Sequence, residues 1–136
     1  MNPTTSGAMP GAETLVIEPF HGTVTVSFSD AIIASTKRAK LVREPGMEPA
    51  FYIPFEDIYF DFLEKTNSTA HSPVKGTGSF WRVTAVGESA EDFMCAYATP
   101  DTPALGIARH GTFNPRIARI EVVPAEDLEH TPHIVE

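Results

Sequence analysis

Residues 71–82 gather a histidine, a hydroxyl, a lysine and an arginine around one proline and two glycines: His71, Ser72, Pro73, Lys75, Gly76, Gly78, Trp81 and Arg82. Four chemistries are open to such a stretch. A phosphate-cradling loop needs Gly-x-x-x-x-Gly-Lys-Ser/Thr between a strand and a helix, so that backbone N–H groups converge on the phosphate. Here Lys75 precedes its glycine and a strand-like run follows, so that reading fails in order and in context. A metal site needs ligands at close spacing. The five histidines, His21, His71, His110, His130 and His133, are scattered, and Cys95 is the single cysteine. No metal and no cofactor are expected. Nucleophilic chemistry at Cys95 has no nearby group to lower its pKa, and its apolar setting in Phe93–Ala98 reads as a buried structural thiol. What remains is Lys75. Pro73 and Gly76 fix the path of the chain around it. It is either a solvated turn residue or a side chain folded inward as an anion anchor or a base with a shifted pKa. The candidate acid–base groups are Lys75, Glu44 and His71. Tyr52, Ser72, Trp81 and Arg82 are the candidate ligand contacts.

These side chains must be carried by short strands. Residues 21–28 alternate, with Val24, Val26 and Phe28 on one face. Ser29-Asp30 is a turn, and residues 31–35 return as the second arm of a hairpin. Shorter strands are expected at 14–18, 39–44 and 50–53, and again at 68–72, 78–86 and 92–98. Residues 110–114 and 116–123 read as a closing hairpin broken at Asn114-Pro115. One amphipathic helix is expected at about 54–65. Phe55, Ile58, Tyr59, Phe62 and Leu63 fall at i, i+3, i+4, i+7 and i+8, and Pro54 suits a first helical turn. Phe62 and Leu63 are expected in the core. The fold class that follows is mainly β.

The chain has 136 residues and a net charge of -8. That suits one β-rich domain at 13–124, between a disordered segment at 1–12 and an acidic tail at 125–136. The negative charge argues against nucleic acid as a partner. No apolar run approaches the ~20 residues of a membrane span. The first residues lack the pattern of a secretory signal, so a cytoplasmic protein is expected.

Four segments, "IASTKRAKLVRE", "YIPFED", "SPVKGTGSFW" and "TFNPR", resemble in order and spacing the domain-of-unknown-function family 427, which is sometimes labelled nucleotidyltransferase-like. The resemblance runs from about Thr14 to Val123. Ala34, Arg38, Ala39 and Glu44 match its first motif. Tyr52, Pro54 and Asp57 match the second, and Pro73, Lys75, Gly76, Ser79 and Trp81 the third. Ser72 stands where the family has a cysteine, so any thiol chemistry of the family is lost here. A serine hydroxyl is a much weaker nucleophile without an adjacent base. The resemblance implies a β-tent, a pair of antiparallel sheets meeting at an angle. It adds Arg38 and Asp57 to the candidate ligand contacts. The nucleotidyltransferase label finds no paired aspartates in support.

Three functions follow from different classes. The first is a small domain that binds an anionic or carbonyl-bearing organic ligand in a pocket on the sheet face. The second is a cofactor-free lyase, isomerase, cyclase or hydrolase using Lys75, His71 and Glu44. The third is a protein-interaction module. The sequence leaves the oligomeric state open, a homodimer included.

Overall fold

A computed structural model of the chain describes residues 15–97 and 102–125, with the backbone alone at Thr102 and Pro103. The segments expected to be disordered at 1–12 and acidic at 125–136 lie outside the described residues, Ala125 apart. Among the described residues there are ten strands: β1 Val16–Pro19, β2 Gly22–Phe28, β3 Ala31–Thr36, β4 Lys40–Arg43, β5 Ala50–Pro54, β6 Leu63–Ser72, β7 Gly76–Ala85, β8 Glu88–Tyr97, β9 His110–Phe113 and β10 Arg119–Pro124. Seven form one sheet in the order β1-β4-β5-β9-β8-β7-β6, and three form a second in the order β10-β2-β3. Every pairing is antiparallel. The mainly β expectation and the pair of antiparallel sheets both hold.

The expected hairpin at 22–35 forms, with Ala31 opposite Phe28 and a register shift after Val26. Its alternation puts Val24 and Val26 inward. They join Ile33 of β3, Ile53 of β5, Val83 of β7, and Phe93 and Met94 of β8 in a cluster that links the two sheets, each at 1% exposure or below. Burying a side chain of this size contributes roughly 1.5–3 kcal/mol. Phe93 is the hinge of an aromatic row, edge-on to both Phe28 and Phe113 with ring centroids 5.6 Å apart in each case.

Two expectations are overturned. The helix at 54–65 does not form. Phe55–Asp57 and Phe60–Phe62 are single 3-10 turns, and β6 begins at Leu63. Between the turns Ile58 is extended and bridges Ala34, while the Tyr59 N–H donates to the Ile33 carbonyl at 2.8 Å. From Leu63 to Lys65 the chain pairs with β7. Long-range backbone pairing therefore overrides a local apolar pattern, as tertiary context does for weak propensities. Phe62 and Leu63 end half-buried against the core, and Tyr59 is 55% exposed. Phe60, off the supposed stripe, instead joins Phe55 and Trp81 in an edge-to-face trio.

The closing hairpin is also absent. β9 lies in the large sheet between β5 and β8, whereas β10 pairs with β2 in the small one. The crossing is made at Asn114. Its N–H donates to the Phe93 carbonyl, and its own carbonyl accepts from the N–H groups of Ile117 and Ala118.

The β7–β8 hairpin turns on two residues, Val86 and Gly87, with φ of 54 and 77. Two consecutive left-handed residues define the type I′ turn, which favours Asn-Gly. Valine is strained there, and its side chain is 63% exposed with nothing to pack on. Val86→Asn is therefore expected to stabilise the protein by about 1 kcal/mol. A urea denaturation midpoint that stays put or falls would contradict this.

Candidate functional site

The stretch around Lys75 is a hairpin turn. Ser72, the last residue of β6, pairs with Gly76, the first of β7, and Gly76 takes a φ of 92, which glycine alone adopts freely. The Ser72 hydroxyl accepts hydrogen bonds from the N–H groups of Val74 and Lys75, at 3.2 and 3.0 Å. The serine is thus a turn brace. The tie holds Lys75 facing inward, where its side chain is only 10% exposed. Its Nζ donates to Glu44 Oε1 at 2.8 Å and lies 5.2 Å from the centre of the Tyr97 ring. Glu44 comes from the opposite end of the sheet order, just beyond β4.

Sheet register builds the floor beneath them. Thr112 of β9 stands opposite both Tyr52 of β5 and Cys95 of β8, and Cys95 stands opposite Phe80 of β7. Directly paired residues share a face, so Tyr52, Thr112, Cys95 and Phe80 form one row. Tyr97, two residues beyond Cys95, lies over Gly78. A Cβ at Gly78 would come within 2.9 Å of both Cys95 Sγ and the Tyr97 ring, so the missing side chain is what lets the tyrosine lie flat against the strand. Pro45–Pro49 closes one side. The result is a cavity of about 630 Å³ whose inner end holds Lys75, Glu44, Tyr52, Cys95 and Tyr97. That is within the size range of sites for small organic molecules. Phe80, Phe93 and Phe113 give it apolar walls.

Electrostatics keep the inner end neutral except for the ion pair. Burial raises the Cys95 thiol above its ordinary pKa, only partly offset by a hydrogen bond with Tyr97 and by the Lys75 charge. The sulfur therefore stays protonated near neutral pH and is a poor nucleophile. Burial, with Cys95 beside it, pushes Tyr97 up to about 12, and burial raises Tyr52 further still. Both phenols keep their protons. Tyr52 is 2% exposed and lines the cavity, yet among the described residues its hydroxyl has no hydrogen-bond partner. A buried hydroxyl without a partner is costly.

Of the residues picked out by sequence, the structure brings together Lys75, Glu44 and Tyr52. His71 is exposed on β6, its Nδ1 3.5 Å from the Thr77 hydroxyl, and it does not line the cavity. Trp81 packs against Phe55 and Phe60 with Lys65 above it. Arg82 bridges Glu64 and Glu91 on the neighbouring strands. Arg38 and Asp57 meet each other at 3.2 Å, away from the cavity. Asp57 also accepts from the buried Thr36 hydroxyl at 2.6 Å, so this trio ties the end of β3 to the first 3-10 turn. The residues that sequence reasoning missed are Tyr97, Thr112, Phe80 and the rim acids Glu48 and Asp92. Period-two spacing puts Cys95 and Tyr97 on one face, but only the pairing of β8 with β9 places Thr112 beside them. Among the described residues no three His, Cys, Asp or Glu side chains group as a metal site would require.

Burial pulls the Asp57 carboxyl upward, but the Thr36 and Arg38 hydrogen bonds outweigh it and hold it below the usual value of 3.8. A depressed folded pKa contributes stability above the unfolded value, and that stability is lost as pH falls through the folded one. Asp57→Asn is expected to cost about 1 kcal/mol at neutral pH and to flatten the stability profile below about pH 4. Parallel acid limbs for variant and wild type would contradict the assignment.

No curated protein matches the chain. One family profile matches residues 16–124, most of its length. The chain belongs to the family described as a domain of unknown function, DUF427.

Proposed function

We propose that this protein binds a small organic ligand in the cavity on the face of the large sheet. The polar end of the ligand would lie against Lys75 and Tyr52, and its apolar body against Phe80, Phe93 and Phe113. The observation that carries the reading is the Lys75–Glu44 pair at 2.8 Å, set at the inner end of a cavity where the buried Tyr52 hydroxyl lacks a partner among the described residues. An ammonium and an unused O–H donor suit a carbonyl oxygen or an anionic group. The paired sheets support the β-tent arrangement that the resemblance implied.

A fragment library of carbonyl and carboxylate compounds, followed by ligand-detected NMR, tests the reading. Fragments that bind the wild-type chain should lose about tenfold or more in affinity to Lys75→Met, which keeps the apolar stem and removes the charge. A library without a single binder, or binders indifferent to Lys75→Met, would overturn it. Catalysis is the second reading. It is favoured by a carboxylate and an ammonium in contact inside one cavity, as acid–base work requires. Conversion of a bound fragment, abolished by Glu44→Gln, is the result it demands.

A further inference from the structure

We propose that the cavity selects a positively charged ligand, an organic ammonium on an apolar body, over an anion. The inference rests on the binding reading above: it keeps the neutral carbonyl-type acceptor that Lys75 and Tyr52 suit, sets aside the anionic ligand, and adds a positive charge elsewhere on the ligand. Three carboxylates, Glu44, Glu48 and Asp92, line the cavity against one ammonium, Lys75, a net of -2 among the described lining residues. The Lys75 charge is already matched by Glu44 at 2.8 Å. An anionic ligand would have to compete with Glu44 for that ammonium and would face the other two carboxylates as it entered. Glu48 and Asp92 are exposed, and neither has an ion-pair partner among the described residues. A carboxylate without a partner at the mouth of a cavity with low-dielectric walls focuses its field inward. The net charge of -8 over the whole chain adds a field of the same sign.

The walls suit the same ligand. Aromatic faces attract cations through their quadrupole, and Phe80, Phe93, Phe113 and Tyr97 all line this space. Tyr97 already holds one such contact, with Lys75 Nζ 5.2 Å from its ring centre. The unpartnered Tyr52 hydroxyl leaves room for one neutral acceptor on the ligand, which does not alter the charge preference.

Three probes with the same phenyl body separate the outcomes: 3-phenylpropylammonium, neutral 3-phenylpropanamide and 3-phenylpropanoate. Each would be titrated against the full chain by ligand-detected NMR at low salt. The ammonium should bind about tenfold or more tighter than the carboxylate, and the ratio should shrink as salt is added. The double variant Glu48→Gln, Asp92→Asn should weaken the ammonium about threefold or more and leave the amide unchanged. Asparagine tolerates the φ of 55 at residue 92, so the irregularity in β8 at this position survives the exchange. A carboxylate that binds as tightly as the ammonium overturns the charge preference and leaves the binding reading standing. So does an ammonium that binds the double variant as well as the wild type. If none of the three probes binds at millimolar concentration, the charge preference and the binding reading fall together.

Discussion

Replacing Phe93 with alanine is expected to lower the stability of the protein by about 3–5 kcal/mol. Phe93 is fully buried and touches both halves of the fold. Phe28 packs on it from the small sheet, and Phe113 from the neighbouring strand of the large one. Truncation removes the transfer free energy of the ring and two edge-to-face contacts, and it leaves a void bordered by rigid strands. The ring also forms part of the cavity wall. The void would open into the cavity and fill with water, which exposes the remaining aromatic faces to solvent. A domain of this size holds about 5–15 kcal/mol in all, so the variant is best made in the Val86→Asn background. Phe93→Leu, which keeps most of the volume, should lose less than half as much. Urea denaturation followed by Trp81 fluorescence measures both. A loss below about 1 kcal/mol for the alanine variant would mean that the two sheets do not share a core through Phe93.

How much of this was legible in the sequence differs from element to element. The β2–β3 hairpin was, because its alternation is clean and its turn is short. For Lys75 the sequence left a solvated and an inward path open, since Pro73 and Gly76 limit the routes of the chain without choosing between them; the inward one is seen only in the 2.8 Å contact with Glu44, which comes from a distant strand end. The helix at 54–65 was misread for a physical reason. An apolar residue every three or four positions is also what a chain shows when it crosses a core edge in two tight turns and then enters a strand. Ile58 reaching Ala34 and Leu63 reaching Val83 are contacts between distant segments, which no local window contains. The crossing at Asn114 was hidden in the same way. Two adjacent strand-like runs look like a hairpin until their partners, β8 and β2, are known to lie in different sheets. Arg38 and Asp57 were singled out by the resemblance alone, and their side chains meet each other and Thr36 instead of the cavity.

The Lys75–Glu44 pair should show the asymmetry of a charge pair removed from most of its water. The two side chains are 10% and 22% exposed. Taking away one partner leaves the other partly desolvated and unmatched, whereas taking away both removes the penalty along with the attraction. Lys75→Met alone is expected to cost about 2 kcal/mol, below the range for a fully buried pair because Glu44 retains some solvent. Glu44→Gln should cost a similar amount, since it leaves the ammonium with a neutral acceptor and the Tyr97 face. The double variant should then cost clearly less than the sum of the singles, with an interaction free energy of about 1–2 kcal/mol. Urea denaturation of the wild type, both singles and the double closes the cycle. Additive losses would mean that the two side chains do not interact in solution, and the inner end of the cavity would then carry two independent solvated charges. A coupled cycle accompanied by an unchanged fold, read from the far-ultraviolet dichroism of all four proteins, would separate loss of the pair from loss of the sheet that presents it.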